Sequence, residues 1–282
     1  MLREFFDSLR MKCAPGARAL GLSHEAVSIA ARYRRVGASW NSHLQASRAA
    51  ILRGAARCEK HKRVLVIGAG VCLDVPVAEL AEIFSEVILA DVAVSPEARR
   101  WQCKYTNRVR AVAWDATGVL EKLSRRRRTI EKKEVLALFS ESDPGTPPIG
   151  EADLIVSANC LSQLGLIPAD QLSAAGADDE FPAQCMEAAA KRHLSWLAER
   201  AGLPVLTSDL ARLDIAPDGT ELNRQTIFDG LPLRAPDQSW RWDLAPIPEW
   251  SRKWHRVHEV GVWIDGLKST QERHSRKGDG VA

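Results

Sequence analysis

Small and polar residues stand at four points of this 282-residue sequence where an apolar run ends. Glycine lets a backbone approach a ligand closely, because it carries no Cβ. A carboxylate can accept hydrogen bonds from both hydroxyl groups of a sugar diol. Together these types suit the binding of a nucleoside-bearing ligand. The residues concerned are Gly68, Ala69, Gly70, Asp91, Asp115, Ser157 and Asn159.

The elements that must position these residues alternate between strand and helix. Continuous aliphatic runs such as Val64–Ile67 and Val87–Ala90 are typical of parallel strands buried on both faces. Alternation of this kind predicts an open, doubly wound α/β sheet, whose ligands bind beyond the carboxyl ends of the strands. The predicted strands cover 64–67, 87–90, 109–113, 153–157 and 204–208, with two further strands at 240–244 and 258–264.

Each strand end has its own predicted role. Gly68, Ala69 and Gly70 form the first turn, and the N–H groups of the following helix (predicted at 74–84) suit an anionic group. Asp74 is expected in the first turn of that helix, where it favours the helix dipole. Asp91, which lies 21 residues after Gly70, is expected to bind a ribose diol, and Asp115 the exocyclic amine of an adenine.

These segments resemble the motifs of class I methyltransferases that use S-adenosylmethionine. Residues 64–70 with Asp74 are similar to their motif I, and 87–91 to their second motif. Trp114-Asp115 is similar to their adenine-contacting position, and 152–159 to motif IV. The resemblance implies a mostly parallel seven-strand sheet with an antiparallel terminal strand. It also implies S-adenosylmethionine as cofactor, bound by Gly68, Ala69, Gly70, Asp74, Asp91, Asp115 and Ser157.

The sequence departs from that family at two positions. Members usually carry an acid near the position of Val66 and often a third glycine near Cys72. Loss of the acid removes the usual contact to the methionine amino group. Nicotinamide-binding oxidoreductases share the strand, the turn and the ribose acid, but Leu73 occupies the third glycine position of their fingerprint. The methyltransferase interpretation is therefore preferred.

The methyl acceptor is expected beside the fourth strand end. Ser157, Asn159 and Gln163 are the nearest polar candidates there, although Asn159 equally suits a helix cap. No histidine is singled out as a general base. His24 and His43 are expected to line the acceptor pocket if the N-terminal helices fold over it, and the same holds for His255 and His258 near the C-terminus.

Residues 1–60 read as an N-terminal helical cap, and 61–267 as the Rossmann-like domain. A basic and proline-rich insertion is predicted around 121–150, and the polar tail 268–282 is predicted to be disordered.

Composition narrows the function further. A net charge of +3 is too mild to indicate a nucleic-acid partner by itself, which favours a small-molecule acceptor. The six cysteines are scattered, and their spacing predicts neither a metal site nor a disulfide scaffold. No run is long and apolar enough to span a membrane, so a cytoplasmic enzyme is expected.

The sequence therefore predicts a methyltransferase that acts on a small molecule. Three alternatives stay open: an RNA- or protein-modifying methyltransferase that uses the run Arg125–Arg128, an NAD(P)-binding oxidoreductase, and a non-catalytic binder of S-adenosylmethionine. The acceptor atom and the oligomeric state are not predicted.

Overall fold

The fold is known from a computed structural model that describes residues 11–126, 131–145, 150–165, 180–228 and 230–267. The predicted tail 268–282 lies outside the described residues. So do residues 1–10 of the predicted cap and segments 127–130 and 146–149 of the predicted insertion. No helix of the described part is long and apolar enough to cross a membrane.

A single large sheet forms the centre of the molecule. Its strands run in the order β5-β3-β2-β6-β7-β10-β9, and the first five are mutually parallel. β10 is antiparallel to both of its neighbours. This confirms the predicted doubly wound sheet with an antiparallel terminal strand. The strands are β2 (Arg63–Ile67), β3 (Glu86–Asp91), β5 (Val109–Ala113), β6 (Leu154–Ala158), β7 (Leu203–Ile215), β9 (Gln238–Ala245) and β10 (His255–Ile264).

Three further strands lie outside the predicted seven. β8 (Glu221–Thr226) pairs with the far half of β7 and makes the sheet eight-stranded. β1 (Lys12–Cys13) forms a small separate ladder with β4 (Ala93–Val94). Because β4 follows β3 directly, this ladder ties the start of the described chain to the edge of the sheet at which β3 ends.

Seven α-helices of the described residues cover the sheet. Two of them, α1 and α2, come before the first long strand and are joined by a 3-10 turn at Gly37–Trp40. The N-terminal region is therefore helical, as the sequence predicts. A second 3-10 turn, Leu161–Gln163, follows β6. The helices are α1 (Leu22–Val36), α2 (Asn41–Ala55), α3 (Val77–Ile83), α4 (Pro96–Lys104), α5 (Leu120–Arg126), α6 (Lys132–Glu141) and α7 (Glu180–Ala198).

Alternate residues of β2 divide the apolar core between the two faces of the sheet. Val64 and Val66 pack with Ile51 of α2 and Leu80 of α3 on one face. Leu65 and Ile67 point to the opposite face and pack with residues of α7 such as Leu194. Strands buried on both sides must be apolar along their whole length, which explains the unbroken aliphatic runs of the sequence.

The predicted start of the helix after β2 is wrong. α3 begins at Val77, so Asp74 lies before it in an irregular segment and not in its first turn. Pro76 explains the difference, because a proline disfavours helical geometry in the residue before it. Asp74 is therefore placed by the loop, and the interaction expected with the helix dipole does not apply.

The N-terminal helices are held against the sheet by specific hydrogen bonds. The indole nitrogen of Trp40 donates to the carbonyl of Leu244 on β9 over 2.9 Å. Arg48 on α2 donates to the carbonyl of Leu73 over 2.8 Å. The second contact joins α2 to the loop between β2 and α3, so the cap is fixed beside the glycine turn.

Candidate functional site

A cavity lies between the carboxyl ends of the parallel strands and the two N-terminal helices. Residues that end or follow four strands meet there: Gly68 after β2, Asp91 of β3, Asp115 after β5 and Asn159 after β6. The cap supplies the opposite wall, with Leu22, Glu25, Ala26, Ile29, Trp40, His43 and Leu44. The sheet edge at which the sequence predicts a ligand is thus the floor of an open cleft.

The two glycines of the turn differ in the space around them: Gly68 is closely packed, and Gly70 faces open space. Both glycines have positive φ angles, +74° at Gly68 and +48° at Gly70. A Cβ on Gly68 would lie 2.7 Å from the Cβ of Cys160, whereas a Cβ on Gly70 would meet nothing closer than 3.9 Å. Gly70 lines the cavity, so the free space above it is space for a ligand. Glycine is required at the two positions for different reasons.

Asp91 lines the cavity and is bound to the glycine turn. Its carboxylate accepts hydrogen bonds from the backbone N–H groups of Gly70, over 2.8 Å, and Ala93, over 3.2 Å. Burial raises the pKa of Asp91, and these two hydrogen bonds oppose the rise. Each carboxylate oxygen carries a second lone-pair site, so the group can still accept hydrogen bonds from a ligand diol.

Asp115 also lines the cavity, but its carboxylate accepts hydrogen bonds mainly from its own loop. One carboxylate oxygen accepts from the hydroxyl and the N–H of Thr117, over 2.6 and 2.8 Å. The other accepts from the N–H of Leu120 at the start of α5, over 2.9 Å. Contact of Asp115 with an adenine amine remains a prediction, and the structure adds a role in ordering the loop that carries it.

Asp74 is brought to the same cavity although it lies outside the helix. Burial raises the pKa of its carboxyl, and the positive charge of Arg48 partly opposes that rise. Asp74, Asp91, Asp115 and Glu25 give the cavity four acidic groups. Among its described lining residues there is no lysine or arginine, so the site offers no cation to a phosphate group.

Ser157 does not line the cavity, unlike the other candidate residues. Its side chain is fully buried, and its hydroxyl lies 3.0 Å from Nε2 of His193 and 3.4 Å from Sγ of Cys160. Burial lowers the pKa of His193 to about 4 and raises that of Cys160 to about 12. At neutral pH the imidazole is therefore uncharged and the thiol protonated. We assign Ser157 and His193 to packing beneath the site, whereas Cys160 lines the cavity as a protonated thiol.

Asn159 and Gln163 both line the cavity. Asn159 has a φ of +49°, a conformation in which asparagine is more common than most residues. Its side chain does not cap the turn Leu161–Gln163, and its Oδ1 is buried without a hydrogen-bond partner in the described structure. Gln163 donates a hydrogen bond to the carbonyl of Asn159 over 2.9 Å. A buried oxygen without a partner is costly, which points to a donor supplied by a ligand.

An aromatic wall completes the cavity, and no pattern in the sequence ranks its members. The ring of His43 stacks on Trp242 with centroids 4.0 Å apart and planes 7° from parallel. Trp40 meets the same indole edge-on at 5.1 Å. All three residues line the cavity. His43 and Trp242 are about 200 positions apart in the sequence, so only the folding of the cap onto β9 reveals the pair.

The two sequence departures have clear structural counterparts. Val66 is fully buried in the core with Leu80 and Val156, so its position contributes nothing to the cavity. Cys72 has a φ of +57°, a conformation that favours glycine. The backbone therefore keeps the turn that a third glycine would make, although a cysteine occupies the position.

No family model and no curated protein matches this chain. Among solved structures, it is similar to 1,6-didemethyltoxoflavin-N1-methyltransferase of Burkholderia thailandensis, solved with 1,6-didemethyltoxoflavin and S-adenosylhomocysteine. The two chains share 17% identity, and the match covers 86% of this chain and 90% of the other, with a TM-score of 0.35.

Two other solved methyltransferases are similar at a comparable level. A glycopeptide N-methyltransferase complexed with S-adenosylmethionine shares 11% identity, covers 82% of this chain and 80% of its own, and has a TM-score of 0.32. A SAM-dependent methyltransferase of Leishmania major shares 13% identity with coverages of 80% and 74%, also at 0.32.

The order of the strands defines the architecture of the sheet. Five parallel strands in the order third-second-first-fourth-fifth are followed by an antiparallel final strand inserted beside the fifth. This is the doubly wound, mostly parallel sheet with an antiparallel final strand that the resemblance of the sequence to class I methyltransferases implies. In this fold the cleft of Gly68, Asp91 and Asn159 lies at the switch point of the sheet, where ligands of doubly wound proteins bind.

Proposed function

We propose that this chain transfers a methyl group from S-adenosylmethionine to a small-molecule acceptor. One observation carries the proposal: the glycine turn, Asp91 and Asp115 meet in one open cavity at the carboxyl ends of β2, β3 and β5. These are the groups that a nucleoside requires, namely a backbone without side chains and a carboxylate for the diol.

The residues present fit such a cofactor. The open space at Gly70 adjoins the carboxylate of Asp91, so a ribose can lie over the turn with its hydroxyls toward that acid. The unpaired Oδ1 of Asn159 suits a hydrogen-bond donor, and we assign it to the methionine ammonium group in place of the acid absent at Val66. Asp74, which lines the same cavity, adds a carboxyl group that can bind that cation.

When bound, S-adenosylmethionine supplies a methyl group on a positively charged sulfur. The protein's part is then mainly to hold the acceptor in line with that methyl group and to exclude water. The four carboxyl groups of the cavity favour a cationic ligand over an anionic one. The same charges disfavour a nucleic acid in the cleft, which supports a small molecule over an RNA acceptor.

A binding experiment separates this proposal from an oxidoreductase. S-adenosylhomocysteine and NADH are titrated separately into the full chain by isothermal calorimetry. S-adenosylhomocysteine is expected to bind with a micromolar dissociation constant, about −8 kcal/mol, and NADH to give no measurable heat. Binding of NADH without binding of S-adenosylhomocysteine would overturn the proposal.

Turnover separates the enzyme from a non-catalytic binder. The chain is incubated with S-adenosylmethionine and a pool of small acceptors, and formation of S-adenosylhomocysteine is followed by mass spectrometry. The proposal requires product above the level given by a heat-denatured sample.

A further inference from the structure

The aromatic wall of the cavity is rigid and partly apolar. His43 and Trp242 stack in parallel planes at 4.0 Å, and Trp40 braces the indole of Trp242 from its edge. Trp40 is itself fixed by its hydrogen bond to Leu244. Trp40 and His43 are both 2% exposed and Trp242 is half-buried, so the part of the Trp242 ring that His43 leaves uncovered is the aromatic surface available to a ligand. An aromatic ligand gains most from such a surface.

Apolar side chains of α1 extend this wall toward the mouth of the cavity. Leu22, Ala26 and Ile29 line it on that side, and only the exposed Glu25 adds a charge there. An acceptor between α1 and the aromatic wall therefore meets mainly apolar surface.

His43 contributes a polar group to this wall, and the proton of its ring has a defined place. Burial lowers the pKa of His43 to about 4, so its ring is neutral at pH 7. Nδ1 of His43 accepts a hydrogen bond from the indole N–H of Trp240 over 3.1 Å. A neutral imidazole has a single N–H, which must then be on Nε2. His43 is therefore a hydrogen-bond donor through Nε2 and not a base.

We propose that the acceptor is a planar heteroaromatic molecule that stacks in the wall of Trp40 and Trp242 and accepts a hydrogen bond from Nε2 of His43. This inference rests on the proposed function and adds the class of acceptor. The amide nitrogen of Gln163 donates to the carbonyl of Asn159, so the side-chain oxygen of Gln163 can accept a hydrogen bond from a ring N–H of the ligand. The absence of lysine and arginine from the described lining excludes a polyanionic acceptor from the class.

The chemistry of transfer is consistent with a donor at this point. A lone pair on a ring nitrogen or on an ionised ring hydroxyl forms the new bond to the methyl carbon, while the carbon–sulfur bond breaks and its electron pair stays on sulfur. The sulfonium becomes a neutral thioether, and any proton on the acceptor atom goes to water. His43 takes up no proton, and its N–H donates a hydrogen bond to a ring oxygen or nitrogen of the acceptor.

Three probes of different class test the inference on the full chain. 4-Hydroxyquinoline, hexylamine and dodecauridylate are titrated into protein saturated with S-adenosylhomocysteine, with tryptophan fluorescence and calorimetry as readouts. 4-Hydroxyquinoline is expected to bind most tightly and to quench the indole emission. Tighter binding of hexylamine or dodecauridylate would overturn the inference.

Variants identify the donor. His43→Phe keeps a ring on Trp242 and removes the N–H, and should weaken 4-hydroxyquinoline about tenfold. His43→Gln restores an N–H and should recover most of that loss. Trp101→Phe is the control, because Trp101 stacks on Tyr105 and does not line the cavity. Equal affinity in wild type and His43→Phe would contradict the assignment.

The two proposals fail in different ways. S-adenosylhomocysteine is first titrated alone, and a chain that does not bind it refutes the proposed function. 4-Hydroxyquinoline is then titrated into the unloaded chain, where its dependence on His43 still decides the nature of the pocket.

Discussion

The indole N–H of Trp240 donates a hydrogen bond to Nδ1 of His43, joining β9 to α2. This single contact sets the tautomer of the only histidine among the described residues that line the cavity. Burial keeps the imidazole neutral, and this contact orients it. Because Nδ1 of His43 accepts this hydrogen bond, the ring N–H is on Nε2, and the pocket offers a hydrogen-bond donor at that atom.

Nuclear magnetic resonance of nitrogen-15-labelled histidine should show His43 as the Nε2–H tautomer at pH 7. No protonation is expected until the pH approaches 4, because burial lowers the pKa to about that value. Trp240→Phe removes the donor and should allow the Nδ1–H tautomer to appear. An Nδ1–H signal in the wild-type protein, or titration near pH 6.5, would contradict this arrangement.

Two alanine substitutions in the glycine turn should separate folding from binding. Gly68→Ala places a Cβ 2.7 Å from Cys160 Cβ and should lower the free energy of unfolding by about 2 kcal/mol or more. Gly70→Ala has free space around its Cβ and should cost only about 1 kcal/mol, for its positive φ. Because that methyl group enters the cavity, Gly70→Ala should nevertheless weaken S-adenosylhomocysteine binding.

Urea unfolding and calorimetry measure the two effects. A Gly70→Ala protein that is nearly as stable as wild type and binds as tightly would show that the space above this turn is not the ligand site.

Buried His193 should make the protein less stable in mild acid. Burial lowers its pKa to about 4, whereas in the unfolded chain the pKa is near 6.5. Below pH 6.5 the unfolded chain therefore binds a proton that the folded chain does not bind. Stability from this group is complete above pH 6.5 and falls as the pH drops toward 4. By pH 4.5 the loss is about 2 kcal/mol.

The variant His193→Gln isolates this contribution from other titrating groups. The wild type should be the more stable protein at pH 7.5, and the difference between the two in urea unfolding should shrink by about 2 kcal/mol at pH 4.5. A difference independent of pH would show that His193 is not held neutral.

Asn159 should bind the amino-acid end of the cofactor. Asn159→Gly keeps the freedom to adopt positive φ and removes the amide whose Oδ1 has no partner in the described structure. S-adenosylhomocysteine should bind about tenfold more weakly to this variant. 5′-Methylthioadenosine, which lacks the amino-acid group, should bind equally to both proteins. Equal weakening of the two ligands would assign Asn159 to the nucleoside or to the fold.

Much of the central sheet could be predicted because its strands are buried on both faces. Val64–Ile67 and Val87–Ala90 are continuous apolar runs for that reason, and the residues at their ends mark the cavity. β8 was missed because all six of its residues are exposed, so Glu221–Thr226 has no apolar periodicity. Its place depends on pairing with the extended far half of β7.

The candidate site could be predicted from the sequence only where the order of the strands determines which residues meet. Asp91 and the glycine turn belong to adjacent parallel strands, and their meeting follows from the order of the sheet. Ser157 follows the same logic, but its side chain points to His193 beneath the site, a choice of face that the sequence does not reveal. The contact of His43 with Trp242 depends on how the cap docks, which no local pattern encodes.

We propose that Asp91 holds a ribose above the glycine turn, and Asp153 provides a close control. Asp153 likewise accepts two backbone N–H bonds, from Lys62 and Arg63, but at the amino end of β2 and outside the cavity. S-adenosylhomocysteine is titrated into wild type, Asp91→Ala and Asp153→Ala. We expect Asp91→Ala to weaken binding by about tenfold or more and Asp153→Ala to leave it unchanged. Equal affinities in wild type and Asp91→Ala would contradict the account.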